Sequence, residues 1–191
     1  MARIQVWLVL AGNPYWPCSG PSEIHSRTHV RRRRVWEGGE AINFYASVFR
    51  NAPDGKARDT NIQVISRYGK GENPDTEGTV RYARFSFLGQ EFGAMDSARE
   101  HKFAFNGAIS FLVACDTQQE IDYFWGKLSA DPKSEQCGWL RDNYGLSWQI
   151  SPTVIRELLK GHDNARIDRV TQAFLKMKQF DVAEIKRAAA G

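Results

Sequence analysis

A weak internal repeat constrains the fold of this chain more than any other feature of its sequence. Residues 40–49, EAINFYASVF, match residues 119–128, QEIDYFWGKL, with apolar and aromatic side chains at corresponding places. Both segments have the spacing of an amphipathic helix, and strand-like stretches follow each of them. Two unrelated amphipathic helices could share this spacing, so the repeat suggests, without requiring, a strand–helix–strand–strand–strand module that occurs twice.

The last predicted strand of the second half has one apolar and one polar face. In the segment QCGWLRDNYGLSWQISP, the side chains of Leu146, Trp148 and Ile150 project to one side of an extended chain. Ser147 and Gln149 project to the other side, and the polar run DNYG before them predicts a turn. We therefore expect the apolar face to pack on a core and the polar face to contact something else.

Other segments predict a mixture of strands and helices. Residues 61–69 alternate as a strand does, residues 88–91 predict the turn of a hairpin, and residues 106–116 predict a buried strand. Thr117 and Glu120 have the spacing of a capping box, which predicts the start of the second repeated helix.

The net charge of +4 comes from one end of the chain. Residues 1–34 hold six arginines against one glutamate, so the rest of the chain carries 20 basic and 21 acidic groups and is close to neutral. Nucleic-acid binding through residues 31–34 is the least favoured function class, because no other basic patch supports it. We interpret residues 1–34 as an atypical basic segment, disordered or mispredicted, and residues 35–187 as the folded domain.

Composition predicts a cytoplasmic protein that does not enter a membrane. No stretch approaches the roughly 20 apolar residues of a membrane span. The apolar residues 4–12 are too few, and too poor in cleavage signals, to favour a secretory signal. The three cysteines are odd in number and lack CxxC spacing, so we expect neither a disulfide framework nor a zinc site.

Several longer motifs closely resemble one family. They are EAINFYASVF, SRYG, FLGQEFGAM, FNGAISFLVACDTQQEIDYFWGKLS, QCGWLRDNYGLSWQISPTVIRELL and AFLKMKQFDVAEI. Together they resemble the PhnB-like proteins, also called demethylubiquinone methyltransferase-like, of the vicinal oxygen chelate superfamily of glyoxalases and bleomycin-resistance proteins. The resemblance covers roughly residues 36–187.

This resemblance implies an α+β fold. Two βαβββ glyoxalase-type modules would form a curled mixed sheet around a cavity, with extra C-terminal helices, usually in a homodimer. The modules would occupy about residues 35–100 and 101–152, and the helical tail residues 153–187. Members of the family begin with an apolar strand about eight residues before the first helix, but this chain has VRRRRVWEGG there. Either IQVWLVLAG from further upstream replaces that strand, or the reading frame is corrupted before about residue 35.

The resemblance also implies where a metal would bind. Relatives that use a metal commonly have Glu at the place of Gln149 and His at the place of Ser110, and Met95 occupies the comparable place in the first module. Neutral amide, hydroxyl and thioether groups are weak ligands for zinc or nickel. We therefore expect no metal and no other cofactor.

Seven residues are candidates for the wall of a ligand cavity. Arg84 could bind an anionic ligand or face solvent, His101 could lie at the cavity mouth or on a surface loop, and Trp139 could stack on a ligand or pack in the core. The complete set is Arg84, Met95, His101, Ser110, Trp139, Ser147 and Gln149.

The leading hypothesis is a homodimer that binds a small anionic or aromatic molecule in a metal-free cavity, with no nucleic-acid or membrane partner. The alternative is an enzyme of the same superfamily, of the lyase, isomerase or dioxygenase type, whose catalytic residues are not identified. The methyltransferase name lacks support from the residues, since no glycine-rich turn joins a strand to a helix in the way that a bound methyl donor needs.

Overall fold

In the computed structural model, residues 4–8, 38–53, 60–97 and 104–191 are described. They divide between two compact units, one with residues 4–8 and 105–191 and the other with residues 38–53, 60–97 and 104. The elements are β1 (Ile4–Leu8), α1 (Gly38–Arg50), β2 (Asn61–Arg67), β3 (Val80–Phe87), β4 (Gln90–Ala94), β5 (Ile109–Cys115), α2 (Gln118–Leu128), β6 (Trp139–Arg141), β7 (Ser147–Pro152), α3 (Thr153–Leu158), α4 (Asn164–Phe174) and α5 (Val182–Ala190). The predicted α+β class is confirmed, with open antiparallel and mixed sheets consistent with a glyoxalase-like fold.

The unit that contains α1 is built around an aromatic core. Its sheet has the order β2-β3-β4, with both pairs antiparallel. The ring of Phe49 on α1 stacks on Phe87 of β3 at 4.3 Å between centroids, and Phe87 stacks on Phe92 of β4 at 4.4 Å. Leu88 and Gly89 form the β3–β4 turn with φ of 52° and 74°, the left-handed pair that a two-residue hairpin favours.

The other unit has a four-stranded sheet of order β1-β5-β7-β6. Strands β5 and β7 are parallel, and α2 lies between them in the chain, whereas the other pairs are antiparallel. The predicted capping box begins α2, because Thr117 Oγ1 accepts from the Glu120 amide and Glu120 Oε2 accepts from the Thr117 amide.

The two repeated helices agree in which side chains they bury. Ile42 and Ile121 are fully buried at matching places, as are Phe49 and Leu128. The two helices therefore share one packing pattern. Among the described residues, three strands follow α1 and two follow α2.

Strand β1 lies inside the segment that the sequence analysis treated as disordered or mispredicted. Residues 4–8 pair antiparallel with β5 along five register positions, from Ile4 with Val113 to Leu8 with Ile109. Within residues 1–34, IQVWL is therefore a strand, and its partner is β5. The rest of residues 1–34 lies outside the described residues.

The helical tail packs on its own unit. Its core joins six buried side chains, those of Cys137, Ile155, Val170, Phe174, Phe180 and Ile185. Val170 and Phe174, on the apolar side of α4, are buried within this chain. Among the described residues, no helix is long and apolar enough to cross a membrane.

Candidate functional site

A buried carboxylate organises the turn that leads into β7. Asp142 Oδ1 accepts from the amides of Tyr144 and Leu146 at 2.8 and 3.0 Å, and Oδ2 accepts from the indole Nε1 of Trp148 at 2.8 Å. Gly145 completes the turn with φ of 85°. These bonds fix Trp148 on the apolar face of β7, as the alternation predicted, and so fix which side chains lie on the opposite face.

That opposite face of the sheet gathers most of the predicted site. Trp139 pairs with Gln149 across β6 and β7, and Arg141 pairs with Ser147. Ser110 on β5 lies on the same side, since Gln149 is in register with the residue two places after it. Ser110, Trp139, Ser147 and Gln149 are each at least 96% buried. We call this set, together with Arg141, the polar face.

Two members of the polar face are bonded to each other. Gln149 Nε2 donates a hydrogen bond of 2.8 Å to Ser110 Oγ in buried surroundings. The amide nitrogen of Gln149 therefore points at the serine, and one lone pair of the serine oxygen is occupied. Both groups are neutral at any physiological pH.

Two other members carry buried donors. Trp139 is 2% exposed, and neither its Nε1 nor the Nε of Arg141 has an acceptor among the described residues. An indole N–H and a guanidinium can only donate. The polar face thus presents an excess of donors next to the bonded Gln149–Ser110 pair.

A tight turn holds β6 in place. Gln136 and Trp139 exchange both backbone hydrogen bonds, and between them Cys137 and Gly138 have φ of 49° and 79°. The tail holds this turn from outside, because the amides of Cys137 and Gly138 donate to the carbonyls of Met177 and Lys178 at 2.9 and 2.7 Å. The motifs QCGW and KMK therefore meet in the fold.

The model of the family 3-demethylubiquinone-9 3-methyltransferase matches residues 35–151. The chain belongs to that family. A solved structure of a PhnB protein from Bacillus cereus, which carries the same methyltransferase name as a provisional label, is 38% identical. That match covers 61% of this chain and 92% of the other, with a TM-score of 0.49. No curated protein matches the chain.

The methyltransferase-family match ends at residue 151 and so includes the whole polar face. Arg84 and Met95 belong to the other unit: Arg84 Nε donates to Gln63 Oε1 at 2.8 Å and forms an exposed ion pair with Glu91, and Met95 is 69% exposed just after β4. His101 lies outside the described residues.

Sequence reasoning missed Arg141. It named Arg84 as the cation for an anionic ligand, yet Arg141 is the arginine that shares a sheet face with the bonded glutamine. Alternation could have found it, since Arg141 stands two residues after Trp139 on a short strand.

The two cysteines of the described residues differ in state, since Cys137 is disulfide-bonded and Cys115 is a buried free thiol. Within the described part of this family member, no three His, Cys, Asp or Glu side chains cluster as metal ligands would.

Glu72 and Tyr123, which are not members of the polar face, have shifted pKa values. A hydrogen bond from Arg81, helped by the Gly69 amide, lowers the pKa of the exposed Glu72, and burial raises the pKa of Tyr123. The polar face itself has no carboxylate, imidazole or free thiolate, so its side chains supply binding groups and no proton acceptor of useful pKa.

Proposed function

We propose that this family member binds a small molecule on the polar face without a resident metal ion. The observation that supports the proposal is the buried hydrogen bond between Gln149 and Ser110. These are the two positions at which the family resemblance places metal ligands. Here they carry neutral groups that are partners of each other.

The donor set does not fit a divalent metal. Zinc and nickel sites use imidazole, thiolate or carboxylate ligands, which supply a lone pair and often charge. The amide nitrogen of Gln149 has no lone pair to offer, and the amide oxygen of Gln149 and the hydroxyl of Ser110 are neutral, weak ligands for such metals.

A binding role follows from what the face can do. Its hydrogen-bonding groups lie on three neighbouring strands, and such convergent polar groups orient a ligand. The alternative function, an enzyme of the lyase, isomerase or dioxygenase type, would need a catalytic base or nucleophile from elsewhere in the chain. The methyl transfer in the family name would need a site for a methyl donor.

The experiment is a thermal-shift screen combined with elemental analysis. Wild-type protein is screened against small carboxylates, aromatic molecules and S-adenosylmethionine, each with and without divalent metals. We expect stabilisation by at least one small molecule that is independent of metal, and less than about one metal ion per ten chains. Near one equivalent of zinc, nickel, manganese or iron that resists dialysis would overturn the proposal.

A restored-ligand variant is the matched control. Ser110→His combined with Gln149→Glu supplies the imidazole and carboxylate that metal-using relatives have, and should gain zinc or nickel binding. Ser110→Ala combined with Gln149→Leu removes the polar pair and should gain none. If wild-type protein binds metal as well as the His/Glu variant does, the neutral pair is not what excludes it.

Assembly and location are part of the proposal. We propose a cytoplasmic homodimer with no nucleic-acid partner. We expect the two copies to meet at sheet edges, which need cover in any open sheet, because Val170 and Phe174 of α4 are already buried within their own chain.

A further inference from the structure

Two hydrogen-bond donors of the polar face have no acceptor in the part of the chain that the structure describes. The indole Nε1 of Trp139 and the guanidinium Nε of Arg141 are both buried and have no acceptor among the described residues. Trp139 as a whole is 98% buried. Buried donors are almost always paired in folded proteins, because an unpaired one loses its bonds to water and gains nothing in return.

The two donors lie on the same side of the sheet. They stand two residues apart on β6, about 7 Å along the strand. Their register partners, Gln149 and Ser147, are on the neighbouring strand β7. Gln149 Nε2 donates to Ser110 Oγ, and neither side chain is bonded to Trp139 Nε1 or to Arg141 Nε.

The chemistry of the two donors indicates which kind of group would accept their hydrogen bonds. Indole N–H and guanidinium have no lone pairs to offer, so their partner must be an acceptor. Arginine is always protonated and forms its strongest bonds with carboxylate or phosphate oxygens. Among the described residues, no carboxylate is bonded to Arg141.

We infer that the ligand of the polar face carries an anionic oxygen group, a carboxylate or a group of like chemistry, that accepts from Trp139 Nε1 and Arg141. This inference rests on the proposed function and adds to it the chemical class of the ligand. Gln149 and Ser110 would form the neutral wall beside that group, and Trp139 would offer its ring edge, where the N–H is, to the ligand.

The test uses the indole proton of Trp139 as a reporter. The chain has six tryptophans, and Trp139→Phe identifies one indole N–H resonance in a ¹H–¹⁵N spectrum by its disappearance. Benzoate, its uncharged isostere benzamide, and inorganic phosphate are then titrated into full-length wild-type protein. We expect benzoate or phosphate to move the Trp139 resonance downfield as an acceptor binds, and benzamide to bind at least about tenfold more weakly than benzoate.

Variants separate the charge of Arg141 from fold effects. Arg141→Met should weaken binding of the effective anion at least about tenfold, whereas Arg187→Met, an equal charge change on the exposed face of α5, should leave it unchanged. If Arg141→Met fails to fold, Arg141→Lys, which keeps the charge but loses the planar fork, should still bind more weakly than wild type.

Three results would overturn the inference. If benzamide binds as tightly as benzoate, the ligand needs no negative charge and the inference is wrong, although the proposed binding function stands. A Trp139 resonance that no anion moves would refute the role of that donor even if the thermal-shift screen finds a ligand. An ordered water bonded to Trp139 Nε1 in crystals soaked with the anion would show that solvent is the missing acceptor.

Discussion

Replacing Gly138 with alanine should destabilise the unit that contains the polar face. Gly138 has φ of 79°, and a Cβ built on it would lie 2.4 Å from Phe180 Cε2 and 2.8 Å from the carbonyl oxygen of Ile150. Ile150 is part of the sheet and also donates its amide to the Gly138 carbonyl at 2.8 Å, so neither backbone can move aside without loss.

The expected loss of unfolding free energy in Gly138→Ala has two parts. The left-handed conformation costs an alanine about 1–2 kcal/mol, and forcing a methyl group into packed surroundings costs about 1–3 kcal/mol more. We expect a total loss of about 2–5 kcal/mol in the free energy of unfolding. With a urea slope of about 2 kcal/mol/M, the midpoint would fall by about 1–2.5 M.

Gly145→Ala is the matched control. Gly145 has a similar φ of 85°, lies in the same unit, and has nothing within 4 Å of a built Cβ. It should lose only the conformational part, about 1–2 kcal/mol. The assay for both variants is urea unfolding monitored by tryptophan fluorescence, and Trp139, which directly follows Gly138, is one of the reporting residues.

The difference between the losses of unfolding free energy in Gly138→Ala and Gly145→Ala tests whether the Cβ contact at Gly138 is real. Equal losses would show that the contact between Gly138 and Phe180 does not exist in solution. A neutral Gly138→Ala would show in addition that the turn is not left-handed, and the docking of the tail on that turn would have to be abandoned.

The remaining predictions concern a helix cap, an ion pair and assembly. Thr117→Ala removes the acceptor of the Glu120 amide and should cost about 1 kcal/mol by urea unfolding, and an unchanged midpoint would contradict the capping box. Glu72→Gln should lower stability slightly at neutral pH. The pKa of Glu72 is lowered by Arg81 in the folded state, so its stabilisation is present above the unfolded pKa and is lost as pH falls through the folded pKa. The difference between Glu72→Gln and wild type should therefore vanish in acid, and a difference that persists there would exclude the ion pair as its cause. Sedimentation should show twice the chain mass, and a lone 21.7 kDa species at micromolar concentration would refute the homodimer.

Local patterns predicted the elements around the site because short-range physics dictates them. The alternation in LSWQI assigned Trp148 and Gln149 to opposite faces, and the structure agrees, since Trp148 donates to Asp142 while Gln149 donates to Ser110. The capping box set the start of α2 for the same reason: its atoms lie within four residues of one another.

Turn boundaries and long-range partners were not accessible from the same patterns. The hairpin was expected to turn over residues 88–91, yet only Leu88 and Gly89 form the turn, because two residues with positive φ are enough to reverse the chain. Nothing in alternation could show that Arg84 would find Glu91 and Gln63 as partners in its own sheet.

By itself, the sequence determined the repeated helices, the two-faced last strand, the neutral body of the chain and its family. The helices and the two-faced strand depend on residue type and spacing within about a dozen positions, and the charge balance and the family motifs depend on residue types alone. Only the tertiary structure decided that β1 pairs with β5, that the tail closes over the Cys137–Gly138 turn, and that Trp139 and Arg141 share one face with Gln149. The reason is physical. Hydrogen-bond partners that lie tens of residues apart are chosen by which strands become neighbours, and strand order is a property of the whole sheet.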